Sequence, residues 1–437
     1  MELFVGSDLA SIALRVLKRF KRKVPLDAEE EFAVERLCSW LSKGVGEDLP
    51  SPLESLLDDS QRAYLLSFRD RSDGFRRQYV VQCLLDAAEW LSNPQLQTQL
   101  RLLEDWERFD VFEVARLTDG RPLQTVGLNL LRKRGLIAKL RLADDKLRSF
   151  LQAVEGEYHP NPYHSSMHAA DVTQALAAML SLDGYACQLS DLELLALLVS
   201  AMIHDVGHPG VTNDFLIRTS SEAALQYNDQ SINENMHLAM AFKLLLREEH
   251  NFLVSWGDSE YRYFRRLVVK IVLATDMAGH KGLVEEFTAH VRLWGGNLAA
   301  WPEDKRVVAL QMLLHSADIS NPARPVQRCS SWGQKVHEEF FLQGDRERSL
   351  GLPVSLMCDR SKASVPKNQR AFIEFVVKPS LSVLADLAPK FVAKVMPNVE
   401  ASVQHWQQLL DADVSAEANA SVTAAAPVQA AACAACT

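Results

Sequence analysis

The chain has 437 residues, enough for one large domain with a smaller companion or for two to three ordinary domains. Its 48% hydrophobic and 24% charged composition is that of a soluble globular protein, and a formal net charge of −9 gives nucleic acid no electrostatic reason to bind. Seven cysteines at irregular spacing exclude a disulfide framework and a paired C-x-x-C metal site, and no apolar run approaches the roughly 18 residues that a membrane span requires.

In chain order, the first predicted element is SDLASIALRVLKRFKRK, residues 7–23. Ser7 or Asp8 can cap a helix, and Leu9, Ile12, Ala13, Val16, Leu17 and Phe20 follow the rhythm of one helical face. Its cationic end is that of a basic amphipathic helix, which can bind calmodulin or an acidic membrane surface. The alternative is a helix packed on its own domain with a solvated basic side. Residues 1–105 read as a helical N-terminal extension, and Asn93-Pro94 breaks its last run. From Trp106 to about residue 412 the pattern is again of long helices, with few alternating β-type runs. The tail, residues 413–437, is rich in alanine and expected to be disordered; its Cys433 and Cys436 have no histidine or second pair nearby, and Cys433 is one position too early for a prenylation box. A cytoplasmic, reducing compartment fits the cysteines, with peripheral membrane contact through residues 7–23.

The chemistry is concentrated in a few stretches. YHPNPYHSSMHAADV, residues 158–172, holds His159, His164 and His168, three of the chain's 12 histidines. His164 and His168 are four apart and would share one face of a helix. Next, LELLALLVSAMIHDVGHPG is a buried apolar helix that ends in His204-Asp205, with His208 one turn on. A third apolar run, MLLHSADISNP, delivers Asp318. Polar groups at the ends of apolar helices must be satisfied, and a metal satisfies several at once. Two imidazoles with two carboxylates suit zinc or another divalent transition metal, and one carboxylate could bridge to a more hydrated ion.

At these residues the chain resembles the class I 3′,5′-cyclic nucleotide phosphodiesterases, members of the HD-domain metallohydrolases. The likeness runs through DVFEVARLTDGRPL, PYHSSMHAADVTQ, AMIHDVGHPGVTNDFLI, QYNDQSINENMHLA, LATDM, LLHSADISNPARP, EEFFLQGDRE, MCDR and NQRAFIEF. It implies an all-α catalytic domain of about sixteen helices over residues 106–412. It implies a tight Zn²⁺ site of His168, His204, Asp205 and Asp318, and a second ion, Mg²⁺ or Mn²⁺, on Asp205 with His208, Glu234 and Thr275 around it. His164 takes the place of the family's general acid for the departing ribose 3′ oxygen. Gln369 matches the purine-binding glutamine and Phe372 the aromatic that stacks on the base; Val336, Phe340 and Ile319 would form the opposite wall, with Tyr163 and Asn321 at the border. His159 matches no role and is expected in an exposed loop.

The chain departs from the family at one point. Where E-N-H-H is usual, Glu234-Asn235 is followed by Met236-His237, so the first of two adjacent histidines is missing. All proposed ligands are intact, which implies hydrolysis of a cyclic nucleotide, cAMP favoured by Asn321 and cGMP or both accepted, to the nucleoside 5′-monophosphate. Two metals would activate a hydroxide and clamp the phosphate. The rival readings are a catalytically weak cyclic-nucleotide-binding regulatory protein, another HD-domain phosphohydrolase, and a scaffold acting through its N-terminal segment. The oligomeric state is left open, a homodimer included.

Overall fold

The computed structural model describes residues 93–424, and the side chains of residues 93–412. The predicted basic helix at 7–23, most of the N-terminal extension, Cys38, Cys83 and the tail cysteines lie outside the described residues. All regular structure among the described residues is helical, as the sequence pattern predicts. They fall into two compact units that divide between Asp318 and Ile319.

The first unit is organised by three apolar helices. We label α1 Asp144–Glu157, α2 Ser166–Leu182, α3 Asp191–Ile203, α4 Asn213–Arg218, α5 Ile232–Leu245, α6 Asp258–Leu273 and α7 Glu303–Asp318. Helix α2 is buried on every face from His168 to Leu180. Its alanines at 169, 170, 175, 177 and 178 let α3 and α7 approach closely. Helix α3 begins with a capping box in which Ser190 Oγ accepts Glu193 N–H and the Glu193 carboxylate accepts Ser190 N–H. The Glu193 side chain is buried, and the Arg306 guanidinium meets it at 3.0 Å. Residues 194–203 of α3 are then buried without interruption. Helix α6 is amphipathic, covering α3 and α7 with Phe264, Leu267, Val268, Ile271 and Val272. Helices α2, α3 and α7 are largely buried, and the chemically distinctive side chains His168, His204, Asp205 and Asp318 lie at or next to their ends.

The second unit contains α8 (Val326–Ser349), α9 (Val365–Phe372) and α10 (Pro389–Ala424), packed on one another. Helix α9 runs straight into one wide π-type turn, Ile373–Val377, a distortion that often marks functional positions. The segment between α8 and α9 is held down by a buried carboxylate. Glu347 accepts hydrogen bonds from Ser355 N–H and Ser355 Oγ, each at 2.7 Å, and from Gln343 at 3.2 Å. It passes so close to α8 that a Cβ on Gly344 would overlap the backbone oxygen of Cys358. Gly344→Ala should therefore destabilise the protein by about 1–3 kcal/mol, the usual cost of overpacking. A urea denaturation curve that leaves the midpoint unchanged would refute this close fit.

Candidate active site

His168 is the third residue of α2, His204 follows the last residue of α3, Asp205 is next to it, and Asp318 ends α7. Three helices from separate parts of the sequence thus bring four donors to one place. His168 Nε2 lies 2.9 Å from Asp318 Oδ1 and 3.6 Å from Asp205 Oδ2. His204 Nε2 lies 3.1 Å from Asp205 Oδ2 and 3.3 Å from Asp318 Oδ1. Ligands about 2.1 Å from one ion are separated by about 3.0 Å at an octahedral edge and about 3.4 Å at a tetrahedral one. The four separations bracket those two values, so the donor set fits a divalent cation without rearrangement. The electrostatics agree. Burial alone would raise the Asp205 carboxyl, but His204 and His164 override it and hold it well below the usual carboxylate range. Burial likewise opposes charge on His204, yet Asp205 and Asp318 push its pKa well above the ordinary imidazole value.

The histidines are sorted by their second nitrogen. His204 Nδ1 sits 2.9 Å from Ala201 O and must donate there, so Nε2 is the nitrogen that would face a metal, which would take the place of its proton. His208 is reversed: its Nδ1 accepts Gly210 N–H at 3.0 Å, so its Nε2 carries the proton and serves as a donor. Burial, with the neighbouring His164, holds His208 neutral. The turn that achieves this needs Gly207, which sits at φ +74 between Asp205 and His208.

His164 is not on the helical face that its spacing from His168 suggests. Helix α2 begins at Ser166, so His164 lies in the preceding loop, half-buried, with its ring stacked on His208 at 3.9 Å. Its ring is perpendicular to that of His168, 6.0 Å away. Asn161 Nδ2 holds this loop to the α3 turn by donating to both His164 O, at 3.0 Å, and His208 O, at 2.7 Å. Tyr163 packs its ring 4.5 Å from that of His168. His159 is exposed, as expected.

Glu234 is the third residue of α5, with its carboxyl pushed up to about 7, mainly by burial and further by the charges of Asp276 and Asp205. Thr275, just beyond α6, is buried and donates its hydroxyl to Val272 O at 2.7 Å. One residue of the site escaped sequence reasoning. His237 is 1% exposed and points its Nε2 toward Asp205 Oδ1, 3.8 Å away, while Nδ1 bonds Val206 O at 2.7 Å. Burial holds it neutral, with a pKa of about 4. Its three-residue spacing from Glu234 on one helix is the sequence signal that points to it.

The residues expected to receive a base lie in the second unit, apart from Tyr163. Val336 and Phe340, one turn apart on α8, are half-buried, and Gln369 and Phe372 are one turn apart on α9. Gln369 is buried against α8 at Gly333, where a Cβ would come within 3.2 Å of its amide carbon. His337 lies beside it, Nδ1 at 2.8 Å from Gly333 O and 3.5 Å from Gln369 Nε2. Ile319 and Asn321 are both buried at the start of the unit.

A buried pair of imidazoles and pair of carboxylates, gathered at the ends of packed helices, defines an all-α protein built to hold a divalent metal. The chain belongs to the 3′5′-cyclic nucleotide phosphodiesterase family, whose profile matches residues 163–399. It is 40% identical over 319 residues to the 3′,5′-cyclic-AMP phosphodiesterase 4C of Rattus norvegicus, covering 72% of this chain and 59% of that protein. It is also 40% identical over 322 residues to the dual specificity calcium/calmodulin-dependent 3′,5′-cyclic nucleotide phosphodiesterase 1B of Mus musculus, with the same two coverages. The chain thus spans about three-fifths of the length of these relatives. Among solved structures, the phosphodiesterase domain of the RhoPDE fusion protein from the choanoflagellate Salpingoeca rosetta matches with a TM-score of 0.64 and 32% identity, over 67% of this chain and 92% of that one. No helix among the described residues is long and apolar enough to cross a membrane.

Proposed function

We propose that the protein hydrolyses 3′,5′-cyclic nucleotides to nucleoside 5′-monophosphates, with cAMP favoured and cGMP accepted. The observation that carries this reading is the convergence of His168, His204, Asp205 and Asp318 at metal-ligand spacing, with the tautomer of His204 fixed for ligation. Those four residues would hold a tight Zn²⁺, and Asp205 would share a more hydrated Mg²⁺ or Mn²⁺, with His208, Glu234 and Thr275 around it. When bound, the two cations would supply a water acidic enough to attack at neutral pH and would neutralise the phosphate.

The chain's own residues would do the rest. His208, a neutral Nε2–H donor, orients the attacking water or a phosphate oxygen. His237 completes the dry wall behind Asp205. His164, in its loop between the rings of Tyr163 and His208, gives its proton to the ribose 3′ oxygen as that bond breaks. Gln369 reads the purine edge with Phe372, Val336, Phe340, Ile319 and Asn321 about it. Since His337 Nδ1–H is committed to Gly333 O, that nitrogen cannot accept from the Gln369 amide and does not lock its direction. Either purine edge can then be met. Gln369→Ala should raise KM for the preferred nucleotide by about 1–3 kcal/mol of lost hydrogen bonding, on the order of 10- to 100-fold. An unchanged KM and kcat would remove Gln369 from base recognition.

The basic helix expected at residues 7–23 would add a contact to calmodulin or an anionic membrane surface. Vesicle binding that fails to weaken with salt, or no binding of either partner, would leave it a packed helix.

The direct experiment is chelation and add-back. Metal-stripped protein should be inactive on both nucleotides and recover with Zn²⁺ plus Mg²⁺. Full activity of protein shown by elemental analysis to be metal-free would refute the reading.

A further inference from the structure

The sequence before Glu234 has the form of a capping box, Ser231-Ile232-Asn233-Glu234, which would turn the glutamate back onto its own helix start. The structure rejects that arrangement. Ser231 sits in the left-handed region at φ 41, and its hydroxyl donates away from α5 to Asp276 Oδ2 at 2.8 Å. Asn228 and Asp229 are left-handed too, at φ 51 and 60, so the whole approach to α5 is turned out of the usual capping geometry.

The vacated place is taken from another helix. Asn213, the first residue of α4, accepts Asn233 N–H through Oδ1 at 2.9 Å and donates through Nδ2 to Glu234 Oε2 at 3.1 Å. Asn233 in turn donates to Val211 O at 3.1 Å, closing the link between the two segments. Among the described residues Asn213 is the only side chain hydrogen-bonded to Glu234. Both ends of its amide are used, the oxygen to accept and the nitrogen to donate.

We propose that Asn213 is a positioning residue for the second cation: by capping α5 in place of Ser231 and donating to Glu234 Oε2, it fixes the Glu234 carboxylate in the site. This rests on the reading above that places Glu234 beside the second cation. Without Asn213 the Glu234 carboxylate loses its one side-chain hydrogen-bond partner among the described residues and is no longer held in place.

The test uses the full chain loaded with Zn²⁺ and titrated with Mn²⁺, the unbound ion being counted by electron paramagnetic resonance. Partners one layer out from a metal typically contribute about 10–100-fold to affinity. N213A should weaken Mn²⁺ binding by about 10-fold, at the low end of that range, with zinc content and far-UV circular dichroism retained. E234Q should weaken it at least as much. The double variant should be no weaker than E234Q alone, because Asn213 acts through Glu234. If N213A does not fold, N213S replaces it in the cycle; its hydroxyl keeps an acceptor near Asn233 N–H but is too short to reach Glu234 as well. Additive losses, or wild-type affinity in N213A beside a weakened E234Q, would overturn the role of Asn213. Wild-type affinity in E234Q would overturn the placement of Glu234 itself, and this inference with it.

Discussion

Asp205→Ala is expected to abolish turnover of both cAMP and cGMP, a loss on the order of 10⁴-fold or more. The carboxylate is 3.1 Å from His204 Nε2 and 3.6 Å from His168 Nε2, which places it in the proposed donor set. Its other oxygen lies toward His237, which leaves it as the group able to serve two ions. Its loss removes a ligand from one cation and the link to the other, and hence both the acidified water and the charge neutralisation. General-acid catalysis contributes only about 10²–10⁴-fold and cannot compensate, because protonating the leaving oxygen is of no use without a nucleophile. The fold should survive as a helical protein, because α2, α3 and α7 pack through their apolar faces. Steady-state rates, with zinc content and circular dichroism on the same samples, check this. Near-normal turnover would rule out the shared-carboxylate site.

The second large effect separates two histidines that the sequence places together. His168→Ala removes a proposed ligand, buried at 0% exposure, and should lower the content of the proposed zinc. His164→Ala should keep zinc and substrate binding yet lower kcat by about 10²–10⁴-fold, the usual contribution of general-acid catalysis. The loss should shrink for a phosphodiester with a nitrophenolate leaving group, which departs without a proton. The ratio of wild-type to variant kcat on natural and activated substrates is the observable. An equal loss on both, or zinc missing from the His164 variant, would make His164 structural or a ligand.

His204-Asp205 and Asp318 were legible as candidate ligands because each ends a long apolar run, where a buried polar side chain has few other partners, whereas His168 opens one. His204-Asp205 and Asp318 could be placed from that pattern, and the resemblance added the roles of His164, His208 and Glu234. The helical face shared by His164 and His168 was not there, since α2 starts two residues after His164 and the loop geometry is set by Asn161. His237 is a lone ring on a helix of mixed composition, with no second histidine near it in sequence to mark it as part of a site. Asn213 was invisible for a stronger reason. Its partners are 20 and 21 residues away, and the local sequence encodes a competing cap that tertiary bonds to Asp276 and Asn213 defeat. The division between Asp318 and Ile319 is marked in the sequence only by the Asn321-Pro322 break that follows the apolar run.

The central claim is that water attacks phosphorus and the 3′ oxygen leaves. It is tested most directly by incubating the Zn²⁺- and Mg²⁺-loaded protein with cAMP in ¹⁸O-enriched water and analysing the product by mass spectrometry. The account predicts adenosine 5′-monophosphate carrying one ¹⁸O on its phosphate, with the same outcome for cGMP. Adenosine 3′-monophosphate, a product without the label, or no turnover by fully loaded protein would contradict it.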